Sequence, residues 1–296
     1  MAEPAPLECR QLTRRFADVV AVDGLDLQVD PGCAMGFLGP NGAGKTTTLN
    51  MLVGLMRPTS GEARLFGVSP SEPAARQRIG FLPEQPVFYP DLSGLENLEL
   101  LAELDGRGDS DRARALELLG LSDAALRRRV GTYSAGDVQK LGLVQAVQHH
   151  PDLVILDEPS SQLDALAREG FRALVTELVE DGRTVFLASH TLDEVQTTCD
   201  RVAVLRRGRL LLTSETGALA ATALRRLTVR YSTPPAAMPA GVVEPRLAGN
   251  VLSAKLAAGR TDVLRALASD PCVDDVLVEP ATLEEALLAL YRRDDA

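Results

Sequence analysis

Gly39-Pro40-Asn41-Gly42-Ala43-Gly44-Lys45-Thr46-Thr47 is the stretch whose reading decides the fold. It fits the phosphate-binding pattern G-x-x-x-x-G-K-[ST]. Before it, Cys33-Ala34-Met35-Gly36-Phe37-Leu38 is a short apolar run of strand type. After it, residues 48–55 with Leu49, Leu52, Val53 and Met56 have a helical spacing. In a strand–loop–helix context the glycines let successive backbone N–H groups turn toward a phosphate. The helix start adds the positive end of its dipole. Lys45 is placed to reach the β- and γ-phosphates, and Thr46 to set a hydroxyl on magnesium. A glycine-rich turn with a chance lysine is the weaker reading: the chain has only three lysines, Lys45, Lys140 and Lys255, and one falls on the required position. A nucleoside triphosphate site is expected here.

The whole chain sets limits on that reading. Its 296 residues allow one large domain and a small one, and 45% hydrophobic residues suffice for a core without disulfides or metals. A net charge of −10 with no basic stripe speaks against nucleic acid as the partner. No apolar run reaches bilayer length and no signal peptide is expected, so a cytoplasmic place is anticipated. Cys9, Cys33, Cys199 and Cys272 are scattered without C-x-x-C spacing and read as reduced structural thiols.

Working outward, residues 7–29 alternate as two strands, with Asp23-Gly24 as a turn signal, and suggest an antiparallel β layer. Further strand-like runs lie at 62–67 and 79–82. Residues 93–150 are helical in pattern, with Leu95, Leu98, Leu101, Ala102 and Leu104 expected on one face. Strands at 153–156 and 184–188 flank a helix of about 165–180, a βαβ unit that implies a parallel sheet. Strand-like runs at 201–205 and 209–212 close this part. After about residue 217 come strand-like runs near Leu227, Val251 and Val273, a proline-rich turn at 233–239 and a helix at 261–268. A last helix is expected from Thr282, where Glu285 completes a capping box and Leu283, Ala286, Leu287, Leu290 and Tyr291 form an apolar stripe.

Other motifs must decide what kind of triphosphate protein this is. Leu153-Val154-Ile155-Leu156-Asp157-Glu158-Pro159 is an apolar strand ending in two acids. Asp157 is placed to hold magnesium and Glu158 to polarise an attacking water. Tyr133-Ser134-Ala135-Gly136-Asp137-Val138-Gln139-Lys140 opens a helix ahead of that strand. With these residues in view, the chain resembles the ATP-binding subunit of ABC transporters. Ser134 and Gly136 match the family's signature, with Gln139 and Lys140 at the start of its helix. Asp164 in Ser160-Ser161-Gln162-Leu163-Asp164 matches the aspartate at the dimer seam, His190 in Ala188-Ser189-His190 the switch histidine, and Phe16 the aromatic that stacks on adenine. The match covers roughly residues 7 to 215.

The resemblance implies a P-loop NTPase of α/β class: a parallel sheet core, an antiparallel β layer and a helical subdomain at about 87–150. An ATP-binding domain at 1–216 and a small α+β accessory domain at 217–296 follow from it. It also implies ATP and Mg2+ as ligands and a head-to-tail dimer with a second copy or a paralogous ATP-binding subunit. Each phosphate loop would face the partner's Ser134 and Gly136. The tail points to subunits serving an ABC-2 type membrane permease in drug, antibiotic or lipid-like export, with the chain peripheral at the inner face of the membrane. A soluble ABC ATPase acting on ribosomes or DNA, or a regulatory ATP-binding protein, is the alternative.

Four departures stay open at this level. The position of the family's magnesium-sensing glutamine holds Glu84, with Gln85 adjacent. Asp137 either weakens a trans phosphate contact or pairs with Arg127, Arg128 or Arg129; at roughly 8 Å and an effective dielectric of about 20, like charges repel by about 2 kcal/mol. Gln162 and Ala165 replace a usual glycine and proline beside Asp164. Phe16 is either a stacking platform or a core residue. His149 and His150, ahead of Pro151, are expected as helix C-terminal dipole partners or solvated residues.

Overall fold

The computed structural model describes residues 4–218, 225–235, 237–257 and 259–279. The chain divides into two compact units, Met1–Ser214 and Glu215–Ala296.

The first unit is built on two sheets. A six-stranded sheet runs in the order β5-β6-β7-β3-β8-β9, where β3 is Ala34–Leu38, β5 Ile79–Leu82, β6 Leu153–Asp157, β7 Thr184–Ser189, β8 Arg201–Arg206 and β9 Arg209–Glu215. The pairs β5–β6, β6–β7, β7–β3 and β3–β8 are parallel. Every residue of β3, β6 and β7 is buried. That is why these strands read as unbroken apolar runs, since a parallel sheet is covered on both faces. Phe37 and Phe186, on neighbouring strands, hold their rings 5.3 Å apart in its core. From β3 the chain crosses to β5 at the sheet's edge, returns inward through β6 to β7 beside β3, and then passes β3 to β8 and β9 on the other side.

A three-stranded antiparallel sheet, β2-β1-β4, forms the second layer, from β1 (Leu7–Phe16), β2 (Val19–Val29) and β4 (Ser60–Leu65). The expected turn at Asp23-Gly24 is corrected here. β2 runs straight through those residues, which sit in an irregular stretch of the ladder, and the chain reverses at Ala17, whose φ is 44°. Helix α1 spans Lys45–Leu52, earlier than the 48–55 spacing suggested, and Leu55 is exposed. α2 (Pro73–Arg76) is a single short turn.

The helical region holds α3 (Gly94–Asp105), α4 (Arg112–Leu119), α5 (Asp123–Leu126) and α6 (Ala135–Val147), with a 3-10 turn at Val130–Thr132. Leu98 and Ala102 are buried, but Leu104, expected on the same face, is 74% exposed because it lies at the solvent end of α3. His149 corrects another expectation: it is buried, with Nε2 3.0 Å from the Ile79 carbonyl. His150 is exposed and lies 3.2 Å from Asp111. α7 (Ala165–Glu180) and α8 (Leu192–Thr198) complete the unit. None of the four cysteines is in a disulfide.

The second unit contains a four-stranded antiparallel sheet in the order β11-β12-β10-β13, from β10 (Arg225–Tyr231), β11 (Val243–Ala248), β12 (Val251–Leu256) and β13 (Val273–Glu279). Leu227, Val229, Tyr231, Leu252, Ala254 and Leu256 form one face, closed by Val263 and Leu267 of α9 (Thr261–Ala268). β11 was not anticipated, since Val-Glu-Pro-Arg-Leu-Ala neither alternates cleanly nor lacks a proline. The helix expected from Thr282 lies outside the described residues. Among the described residues no helix is long and apolar enough to cross a membrane.

The approach of β5 to α6 gives a direct test of this packing. A Cβ on Gly80 would stand 1.8 Å from the Ala146 carbonyl oxygen. Gly80→Ala must push strand and helix apart and should destabilise the chain by about 2–3 kcal/mol. Urea denaturation showing wild-type stability in that variant would disprove the close approach.

Candidate nucleotide-binding site

The carboxyl ends of β3, β6 and β7 meet because their ladders are in register. Gly39, directly after β3, donates its N–H to the Ser189 carbonyl at 3.2 Å, and Glu158, directly after β6, donates its N–H to Ala188 at 2.9 Å. The phosphate loop, the two acids and His190 are therefore neighbours by construction of the sheet.

Within the loop Gly42 and Gly44 have φ of +78° and +106°, a region costly for residues with a side chain. A Cβ on Gly44 would also come 2.3 Å from the Ala21 carbonyl oxygen. Gly44 is the N-cap of α1 and offers no side-chain acceptor to the first-turn N–H groups. Those donors and the helix dipole suit an anion. Lys45 is 6% exposed. Its Nζ donates to the Gly39 carbonyl at 2.8 Å and stands 3.3 Å from Glu158 Oε1. Burial in that grip fixes the ammonium at the loop's mouth.

Glu158 is buried and has φ of 50°, which for a non-glycine residue carries a cost of about 1–3 kcal/mol unless the surroundings impose it. His190 Nδ1 donates to Glu158 Oε2 at 2.8 Å, so the carboxylate is held between an ammonium and an imidazole. Asp157 is almost wholly buried, and its Oδ1 has no hydrogen-bond partner. Desolvation pushes its pKa up to about 6, the Thr46 hydroxyl works against that rise, and Glu84 and Glu158 add to it. A buried, unpartnered carboxylate oxygen beside a threonine hydroxyl fits one side of a magnesium shell, because Mg2+ takes one or two carboxylates and completes itself with water and phosphate oxygens. Among the described residues no group of three or more His, Cys, Asp or Glu could hold a metal alone.

A cavity of about 470 Å3 opens in front of these groups, lined by Asn41, Gly42, Lys45, Thr46, Thr47, Glu84, Glu158 and, at its far side, Phe16 and Ala21. Phe16 is 40% exposed, which removes the core reading. Arg14 places its guanidinium 4.6 Å from the ring centre, a cation–π contact. Of the two candidates after Pro83, Glu84 lines the cavity and Gln85 does not.

Ser134, Gly136 and Asp164 are not brought to this cavity. Ser134 is the N-cap of α6 and accepts from the Asp137 N–H at 3.1 Å; Asp137 Oδ2 in turn accepts from the Ser134 N–H at 3.4 Å, a capping box. The same oxygen is 3.4 Å from Arg128, so the charge at position 137 is paired within its own subdomain. Asp164 is the N-cap of α7, accepting from the Ala167 N–H at 2.8 Å. Gln139, matched in the sequence only to the start of the signature helix, is given a definite place here. It is 1% exposed, and its amide donates to the Pro159 carbonyl at 3.0 Å and the Glu158 carbonyl at 3.4 Å. Besides that match, its signal in the sequence is an amide set among Val138, Leu141 and Leu143 on a helix that is otherwise mostly apolar.

Residues 22–161 match the family model described as ABC transporter. An uncharacterized ABC transporter ATP-binding protein of Nostoc sp. is 42% identical over 198 residues, 65% of this chain and 59% of that protein. The bacitracin transport ATP-binding protein BcrA of Bacillus licheniformis is 37% identical over 209 residues, 69% of this chain and 68% of BcrA. The chain belongs to the ABC transporter family. A solved ATP-binding subunit of an ABC transporter superposes with a TM-score of 0.67 at 28% identity, covering 72% of this chain and 91% of that one. The ABC cassette is thus the P-loop NTPase fold described above. The chain spans about three fifths of the length of the Nostoc relative.

Asp157 makes the site's cost measurable. A carboxyl whose folded pKa is about 6 binds more protons folded than unfolded between about pH 4 and pH 6, so stability falls as pH rises through that window. Asp157→Asn should stabilise the chain at pH 7 by about 2 kcal/mol and flatten the decline. Denaturant midpoints at acid and neutral pH that respond identically in both proteins would contradict this.

Proposed function

We propose that the chain hydrolyses MgATP and works as the motor of a separate ABC-2 type membrane permease that exports a drug-like, antibiotic or lipid-like substrate. The observation that carries the reading is that Lys45, Thr46 and Glu158 line one cavity, with Glu158 held between Lys45 and His190. BcrA's role in bacitracin transport supports the export side.

In this reading the phosphate loop from Gly39 to Thr47, including Pro40 and Ala43, wraps the phosphates with its N–H groups, and Lys45 answers their charge. Phe16 offers an exposed ring to the base. Thr46, Asp157 and Glu84 would hold magnesium, which supplies charge neutralisation across the phosphate oxygens. Glu158, oriented by the His190 hydrogen bond, accepts the proton of the attacking water. The far wall comes from Ser134 and Gly136 of a second copy or a paralogous subunit, with Asp164 at the seam. The Ser134 hydroxyl still has its proton to donate, since in the capping box it acts as acceptor. With Asp137 already paired to Arg128, its charge is offset at that contact. The loop from Pro83 to Pro90, which contains Glu84 and exposes Val87 and Tyr89, is together with the helical region the surface offered to the permease. The unit from Glu215 onward serves as an accessory domain that supports the dimer.

Glu158→Gln should lower ATP turnover by at least about 100-fold while ATP drives a stable dimer, because only the proton acceptor is lost. Light scattering with and without ATP, alongside phosphate release, reads both; wild-type turnover would remove Glu158 from this role. Lys45→Ala should weaken ATP binding by about tenfold or more, and calorimetry showing unchanged affinity would sink the phosphate-loop assignment.

A further inference from the structure

Glu158, which lines the cavity, is bonded through its backbone to a side chain that does not reach the cavity. Gln139 lies on the second turn of α6, five residues after the Ser134 N-cap, and is 1% exposed. Its Nε2 donates to the carbonyls of both Glu158 and Pro159, at 3.4 and 3.0 Å. Pro159 is itself buried.

Glu158 needs such support. Its φ of 50° is a conformation that an unsupported glutamate leaves. On one side its N–H is tied to Ala188 of β7 at 2.9 Å. On the other, its carbonyl accepts from the Ser161 N–H at 3.2 Å and from Gln139. The Pro159 carbonyl has Gln139 as its donor. A second contact brings the same helix onto the same loop: a Cβ on Gly136 would lie 3.0 Å from the Gln162 carbonyl oxygen. Once the amide is gone, the Pro159 carbonyl is buried unpaired, and the Pro159–Ser160 peptide can turn to recover a partner, pulling on the backbone of Glu158 next to it. The carboxylate then leaves its place between Lys45 and His190.

We propose that Gln139 is a positioning residue for the hydrolytic step, fixing the backbone of Glu158 from helix α6. The inference rests on Glu158 being the proton acceptor, as proposed above. Gln139 does not line the cavity; it acts through Glu158.

Gln139→Met keeps the volume and removes the donor. It should lower kcat about tenfold with the KM for ATP within about twofold, since phosphate binding is made elsewhere. In the Glu158→Gln background the same change should cost nothing further, because its effect passes through the carboxylate. An equal loss in both backgrounds, a KM rise that accounts for the loss, or an unchanged kcat would each overturn the proposal. Should Gln139→Met not fold, Gln139→Glu gives a second test. A protonated glutamic acid can donate to the same carbonyls, so its turnover relative to wild type should rise from about pH 8 to about pH 6. A flat ratio would overturn the proposal. Failure of the underlying reading shows separately, as full turnover in Glu158→Gln alone.

Discussion

The parallel register of β6, β7 and β3 is the constraint on which everything else depends. Asp157 pairs with Ala188, and Leu38 pairs with Ser189, so three strand ends finish at one level. The residues that follow those ends, Glu158, His190 and Gly39, therefore meet without any long-range steering by side chains. A slip of one residue in either ladder would invert every side chain on the moved strand. The burial of all three strands on both faces makes such a slip costly. The core is thus not a passive support but the device that sets the site's geometry.

Charge is concentrated where the strands end. Asp157 and Glu158 are both buried, with Lys45 as the buried cation that faces Glu158 at 3.3 Å. The raised pKa of Asp157 marks the imbalance: burial disfavours its charge, and two acids nearby, Glu84 and Glu158, disfavour it further. Such a site is stabilised by a cation and by donors that distribute charge, and strained without them. It favours function over stability, in keeping with the left-handed backbone at Glu158.

Much of this was legible in the chain. The G-x-x-x-x-G-K-T spacing and the two apolar strands carry their meaning locally, because a loop that wraps phosphate and a strand buried on both faces leave direct traces in residue type. α7 shows its bounds at 165 and 180 for the same reason, an amphipathic period with Asp164 as cap. What stayed hidden depends on tertiary neighbours. Asp23-Gly24 has the composition of a hairpin turn but sits inside β2, where it forms a bulge: three steps of β2 from Val22 to Leu25 oppose two of β1 from Leu12 to Arg14. His149 looks like a helix-end residue until Ile79 of β5 provides its partner. Gln139 looks like one more polar position on a helix; only the arrival of the 158–159 carbonyls gives it a task. β11 forms because β12 offers it a ladder, not because its own residues ask for one.

The ion pair between Lys45 and Glu158 has a consequence for selectivity. The ammonium that would receive phosphate already has an anion of its own, tethered and buried. A small singly charged anion offers it nothing better than that carboxylate does. A triphosphate brings several charges at once, and the loop's N–H groups share in holding them. The site thus carries a built-in competitor, and only a ligand that engages loop and lysine together can displace it.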